Sequence, residues 1–208
     1  MTEQFDEAFW NDRYRSAHAL WSGKPNRHLV AEAGGLPPGT ALDAGAGEGA
    51  DAIWLARRGW RVTAVDISGV ALERAAGHAA KDEAVAERIE WRREDLREWV
   101  PPERAYDLVT AQYLHVPGAT RRVLVARLAA AVADGGTLLF VGHHPLDLET
   151  TMPRPRQPEL FFTGDDLAAD LGGDGWKIVT NVAAPHEATD PEGRPVVVHD
   201  TVFRARRG

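Results

Sequence analysis

The sequence predicts one α/β domain, a doubly wound and mostly parallel sheet behind an N-terminal helical cap. Three observations carry that prediction. Strand-like apolar runs alternate with helical periodicity from Thr40 to Gly142. A glycine-rich turn, Gly45-Ala46-Gly47-Glu48-Gly49, joins the first strand to the first helix of that series. The last two strand-like runs have no helix between them. Strand–helix alternation implies parallel strands with right-handed crossovers. Two strands joined without a helix pair antiparallel instead.

Apolar residues at Phe5, Phe9, Trp10, Tyr14 and Ala17 predict a helix over 5–20, broken by Trp21-Ser22-Gly23-Lys24-Pro25. Residues 26–33 form a second short helix, and Gly34 to Gly39 a turn. The core then reads in order: strand 40–43, helix 50–58 stopped by Gly59, and strand 61–66. Ser68 caps a helix running to Ala80 or beyond. Strands follow at 89–93 and 106–111, then a helix over 119–133 closed by Asp134-Gly135-Gly136, then a strongly apolar strand at 137–142. A proline-rich loop spans 145–158, and Thr163 caps a helix reaching Leu171. The final strands are expected at 176–182 and 196–205, with a polar loop over 185–195 between them.

At 208 residues the chain is expected to be a single domain, 1–208, with the cap over 1–36 and the core over 37–208. Hydrophobic residues at 44% supply a core, and a net charge of −7 argues against nucleic-acid backbones as partners. With no cysteine, disulfides, thiolate nucleophiles and Cys-based metal sites are excluded. The acidic N-terminus has no signal-peptide pattern and no apolar run reaches membrane length, so a cytoplasmic location without membrane contact is expected. The size fits a monomer or weak homodimer.

The chemistry concentrates at the strand tips. Glycines at 45, 47 and 49 let the backbone bend and lie against a ligand. The next helix points its free N–H groups at that loop. Asp66, seventeen residues beyond Gly49, ends the second strand, where a carboxylate grips a ribose diol. Gly45, Gly47 and Ala50 also satisfy the dinucleotide pattern, so an NAD(P)-dependent oxidoreductase stays open. Against it, Asp43 would repel a pyrophosphate but suits a cationic amino acid end. Asp95-Leu96 can read an adenine edge, and no tyrosine is followed by lysine four residues on.

These stretches, LDAGAGEGADAIWLARRG (42–59), VTAVDIS (62–68), EDL (94–96), YDLVTAQYLHVP (106–117) and TLLFVGH (137–143), resemble class I S-adenosylmethionine-dependent methyltransferases. They are similar to the small-molecule branch that includes the tellurite-resistance and thiopurine-type enzymes. The N-terminal FWNDRY and LWSGKPN resemble the lid of that branch. The resemblance implies a seven-stranded sheet of order 3-2-1-4-5-7-6 with the seventh strand antiparallel. It implies S-adenosylmethionine as methyl donor, S-adenosylhomocysteine as product and a small-molecule acceptor. Gly45, Gly47 and Gly49 would cradle its methionine and ribose, with Asp43 beneath the amino group and Asp66 on the ribose. Ile67 would pack on adenine, and Asp95 with Leu96 would read its edge.

Methyl transfer from a sulfonium is an in-line displacement, so alignment and water exclusion are the protein's main contributions. His115 and His143 follow the fourth and fifth strands, where a parallel sheet lines its ligand crevice, and are the candidate bases. His143 and His144 point to opposite faces of a strand, and no zinc-type spacing is present, so no metal is expected. Trp10, Tyr14 and Trp21 are candidate lid residues, and Arg154 and Arg156 lie on a loop placed to cover substrate. Arg13 and Arg15 are read as surface charge, and His199 and Asp200 as structural hydrogen-bonding residues. The absence of an Asn/Asp-Pro-Pro-aromatic sequence after the fourth strand disfavours methylation of planar nitrogens. A non-catalytic cofactor-binding module is the remaining alternative.

Overall fold

The computed structural model describes residues 5–17, 19–114, 116–155, 157–172 and 174–208. Its frame is a seven-stranded sheet in the order β3-β2-β1-β4-β5-β7-β6. The strands are β1 (Thr40–Ala44), β2 (Arg61–Asp66), β3 (Ile89–Arg93), β4 (Tyr106–Gln112), β5 (Val132–His143), β6 (Trp176–Thr189) and β7 (Pro195–Arg207). The first five are parallel, and β7 runs antiparallel to both β5 and β6, in the order and sense anticipated.

Helices α1 (Glu7–Arg15) and α2 (Arg27–Ala33) precede the sheet, and α3 (Ala50–Arg57), α4 (Gly69–Ala79), α5 (Glu83–Ala86), α6 (Gly118–Ala131) and α7 (Gly164–Leu171) flank it. Two apolar layers hold them. Leu42, Val109, Leu138 and Phe203 face α6 and α7 in one layer, while Ala41, Leu108, Leu139 and Val202 face α2 and α3 in the other. Alternate residues of one strand thus serve opposite cores, which is why β1, β4 and β5 are near-continuously apolar.

Caps follow the sequence signals. Ser68 accepts from Ala71 N, and Thr163 forms a reciprocal capping box with Asp166. Several boundaries differ from expectation. The first helix spans Glu7–Arg15, because Asp6 caps it at the backbone N–H of Phe9. Helix α6 stops at Ala131, and Asp134-Gly135-Gly136 lies inside β5, where its register against β4 shifts between Tyr106 and Leu108. The glycines mark this irregularity and not a helix end. The proline-rich stretch contains short 3-10 turns, Pro145–Glu149 and Pro158–Leu160.

The largest correction concerns residues 185–195, expected as a loop. Strand β6 continues to Thr189 and β7 begins at Pro195, with Asp190 N bonded to Arg194 O across the turn. Pro185 resembles a strand breaker, yet β6 is the sheet's edge, where proline is tolerated. This extension carries His186 to the level of the strand tips. Among the described residues no helix is long and apolar enough to cross a membrane.

Candidate functional site

A cavity of about 560 Å³ opens over the C-terminal ends of the parallel strands, within the range of small-molecule sites. Its floor is the glycine loop. Gly45, Gly47 and Gly49 all have positive φ, and Gly45 N and Ala46 N both donate to Val65 O. Asp66 fixes the loop from the neighbouring strand. Its Oδ2 accepts Gly47 N at 2.9 Å and its Oδ1 accepts Ser68 N at 2.8 Å. Asp66 also lines the cavity.

The glycines have unequal duties. A Cβ on Gly47 would lie 2.9 Å from the Tyr14 hydroxyl, on the lid side. A Cβ on Gly45 would meet Leu114 Cδ1 at 3.0 Å. A Cβ on Gly49 would strike Trp91 and Ala75, so this backbone lines the cavity while its bare face permits β3 and α4 to close in.

Three carboxylates gather beneath and beside the loop. Asp43 is 1% exposed, and its Oδ2 has no hydrogen-bond partner. Burial raises its pKa well above the ordinary value, and the charges of Asp51 and Asp66 raise it further. Burial pushes Asp51 up to about 6, opposed by its bond from Asn26 N at 2.6 Å. Asp66 is also raised by burial, against the backbone donors of Ser68, Gly47 and Ile67. No ion pair reaches any of the three among the described residues. The region therefore favours a cationic ligand group.

The N-terminal segment closes over this floor. Tyr14 is buried, and Trp21 Nε1 donates to its hydroxyl at 3.2 Å. Glu48, inside the glycine loop, accepts Leu20 N and Trp21 N on Oε2 and Arg74 on Oε1. Asn11 Oδ1 accepts the Ser68 hydroxyl at 2.7 Å, joining α1 to the cap of α4. Trp10, Tyr14 and Trp21 all line the cavity. Sequence reasoning found these aromatics but missed Glu48, whose signal was a charged residue within an otherwise small-residue loop.

At one end Ile67, Asp95 and Leu96 line the cavity. Asp95 is held by Arg97 through Nε and Nη2 at 2.6–3.0 Å, which lowers its pKa. An adenine amine would share this carboxylate with Arg97, a partner the sequence reading did not include. The other end is built by Tyr113, His143, Arg154, His186 and Asp200. His143 packs against Tyr113 with ring centroids 4.9 Å apart and the planes tilted by 43°. Tyr113 has φ 49, a left-handed backbone uncommon for an aromatic residue. His115 and Arg156 lie outside the described residues. His199 has the structural bond expected of it, its N–H donating to Asp147 Oδ1 at 2.7 Å. Arg15 pairs with Asp12 on the surface. Asp200 has the structural bonds expected of it, to Arg27 and His28, and also lines the cavity.

Residues 41–136 match a family model described as a methyltransferase domain, reaching from β1 into β5. The match takes in a little under half of the chain, and the sheet order is the one that the resemblance to class I methyltransferases implies. Comparison with curated protein sequences finds no match. Solved structures share the fold across nearly the whole chain. One, from work on the conversion of a disulfide bond into a thioacetal group during echinomycin biosynthesis, has a TM-score of 0.75 at 23% identity, covering 97% of this chain and 92% of that one. TehB from Haemophilus influenzae gives 0.70 at 17% identity, covering 97% of this chain and 67% of its own. Magnesium protoporphyrin IX methyltransferase from Synechocystis PCC 6803, with bound S-adenosylhomocysteine, gives 0.68 at 20%, covering 100% and 97%. At these identities the likeness speaks for the fold alone.

Proposed function

We propose that this protein transfers the methyl group of S-adenosylmethionine to a small-molecule acceptor, with the cap over 1–36 serving as lid. The observation that carries the reading is the uncompensated trio Asp43, Asp51 and Asp66 around the glycine loop. A sulfonium and an ammonium relieve that charge, whereas the pyrophosphate of a dinucleotide adds to it. Asp43, with its orphaned Oδ2, suits the amino group, directly or through water. Gly45 and Gly47 would lie against the methionine and ribose, with Gly49 holding the loop's shape. Asp66 suits the ribose hydroxyls, Ile67 the adenine face, and Asp95 with Leu96 the adenine edge. His143 lies on the acceptor side with Tyr113 and Arg154. Calorimetric titration with S-adenosylhomocysteine, NADH and NADPH tests the assignment. S-adenosylhomocysteine is expected to bind, and binding of a dinucleotide alone would sink the proposal.

The same carboxylates set a pH dependence. Asp51 titrates near 6, above its ordinary value of ~3.9. Its contribution to stability is therefore present below the unfolded value and is lost as pH rises through about 6. A bound cation favours the ionised form, so protons leave as the cofactor binds. Affinity for S-adenosylmethionine is expected to rise roughly threefold to tenfold between about pH 5 and pH 7, then level off. Calorimetry in buffers of different ionisation enthalpy measures this proton release. A flat affinity across that window would show that the carboxylates do not face the ligand's cation.

Glu48 gives a test of the lid. Glu48→Gln replaces a charged acceptor of two backbone donors by a weaker neutral one, at a cost of about 1 kcal/mol. S-adenosylhomocysteine is expected to dissociate about threefold to tenfold faster in stopped-flow fluorescence, with Trp21 as a reporter. An unchanged dissociation rate would mean that the latch does not control exit.

A further inference from the structure

Asp200 is the pivot of the acceptor end. Its Oδ2 accepts Arg27 Nη2 at 2.8 Å and lies 3.0 Å from His28 Nε2, both from α2. The Tyr113 hydroxyl donates toward it from the tip of β4. His186 Nδ1 stands 3.6 Å from the same oxygen. The sheet register explains this meeting. Asp200 pairs with His143 on one side and Ala184 on the other. His186, two residues beyond Ala184, shares the face of Asp200. Only the extension of β6 through Pro185 brings the imidazole there.

The two nitrogens of His186 differ. Nδ1 is buried and has no hydrogen-bond partner among the described residues, with Asp200 Oδ2 at 3.6 Å just beyond that range. Nε2 makes no hydrogen bond among the described residues, and the imidazole lines the cavity with 26% of its side chain exposed. A carboxylate facing Nδ1 favours a proton on that nitrogen and leaves a lone pair on Nε2. At 3.6 Å the contact is loose at rest and tightens once the ring carries a positive charge.

We propose that His186 is the general base of methyl transfer, oriented by Asp200, and that the acceptor is a small thiol or phenol. This rests on the S-adenosylmethionine reading of the site. The acceptor's sulfur or oxygen attacks the methyl carbon as the carbon–sulfur bond of the sulfonium breaks. The bonding pair returns to the sulfonium sulfur, giving S-adenosylhomocysteine, and the acceptor's proton passes to Nε2 of His186. Asp200 stabilises the imidazolium that results. Burial lowers the His186 pKa, as do Arg27, Arg154 and His28, while Asp200 opposes them. The ring thus rests neutral and ready to accept a proton. Thiols and phenols, with pKa values of ~8.5 and ~10, lie within reach of such a base. An aliphatic alcohol does not, and a neutral amine attacks without one.

The test has two arms. In the first, 15N NMR follows His186 in the full-length protein with S-adenosylmethionine and with S-adenosylhomocysteine. The Nδ1–H tautomer is expected in both, with the pKa lower by roughly half a unit beside the sulfonium charge. An Nε2–H tautomer, or identical titration in the two complexes, overturns the proposal. In the second arm, thiophenol and phenol are the acceptor probes. His186→Gln is expected to bind S-adenosylhomocysteine within twofold of wild type. It should transfer methyl at least tenfold more slowly at pH 7, lose the acidic limb of the rate profile, and recover with added imidazole. If His143→Gln removes that limb and His186→Gln keeps it, the base is His143 and the proposal fails. The NMR arm needs no acceptor and decides the assignment if neither probe is methylated. Failure of wild type to bind S-adenosylhomocysteine would instead overturn the cofactor reading, a separate outcome.

Discussion

Asp66→Ala is expected to weaken S-adenosylhomocysteine binding on the order of a hundredfold, measured by calorimetry. The ribose diol would donate two hydrogen bonds to the carboxylate, each charge-assisted and worth about 1.5–3 kcal/mol. Water compensates part of that loss, and a net of about 3 kcal/mol corresponds to roughly two decades in Kd. The substitution acts on the loop as well. Asp66 is the acceptor for Gly47 N and Ser68 N, so alanine strands two buried donors and removes the side-chain tie from β2, leaving the loop on β2 through Gly45 N and Ala46 N alone. Asp66→Asn separates the two effects. It keeps the volume and one acceptor oxygen but turns an amide donor toward a backbone donor. Its affinity should fall between wild type and alanine. Circular dichroism at the titration temperature verifies that each variant is folded. An Asp66→Ala protein that binds within threefold of wild type would remove the ribose assignment.

The part of the cavity proposed for the methyl donor was legible because its residues lie within contiguous stretches. The glycine loop, Asp66 and Asp95-Leu96 each belong to one strand and the turn after it, so spacing alone places them at one edge of a parallel sheet. The acceptor half was legible only in part. His143 follows a clear apolar strand, and it lines the cavity. His186 and Asp200 depend on a register between β6 and β7, and the far end of β6 reads as a loop because Pro185, His186 and Glu187 break the apolar alternation of its first half. The pairing is set by partners that local sequence does not reveal. Tyr113 owes its place to a left-handed turn that its residue type does not advertise. Glu48 and Arg97 were missed for a related reason. Both act on segments folded back from elsewhere or on their own neighbours, with no motif to mark them.

Gly49 shows how one glycine motif mixes ligand contact with packing. All three loop glycines were read as cradling the cofactor, yet the bare face of Gly49 is turned to Trp91 and Ala75. Gly49→Ala would place a methyl 2.6 Å from Trp91 Cη2 and 2.8 Å from Ala75 Cβ. It would also force an alanine to φ 82, outside the comfortable range of an L-residue. Left-handed strain of about 1–2 kcal/mol and overpacking of about 1–3 kcal/mol lead to an expected loss of about 2–5 kcal/mol. For a chain of this length that is a fall in Tm of roughly 5–15 °C by calorimetry. Gly193→Ala isolates the first contribution, because Gly193 also has φ 82 but nothing within 4 Å of the added carbon. Its Tm should fall by a few degrees only. In a Trp91→Phe background the indole carbon that meets the new methyl is gone, so Gly49→Ala should cost less there, a positive coupling of about 1 kcal/mol. If Gly49→Ala melts with Gly193→Ala, the close approach of β3 and α4 at the loop is refuted. Gly49 would then answer to the cofactor, as the sequence pattern alone implies.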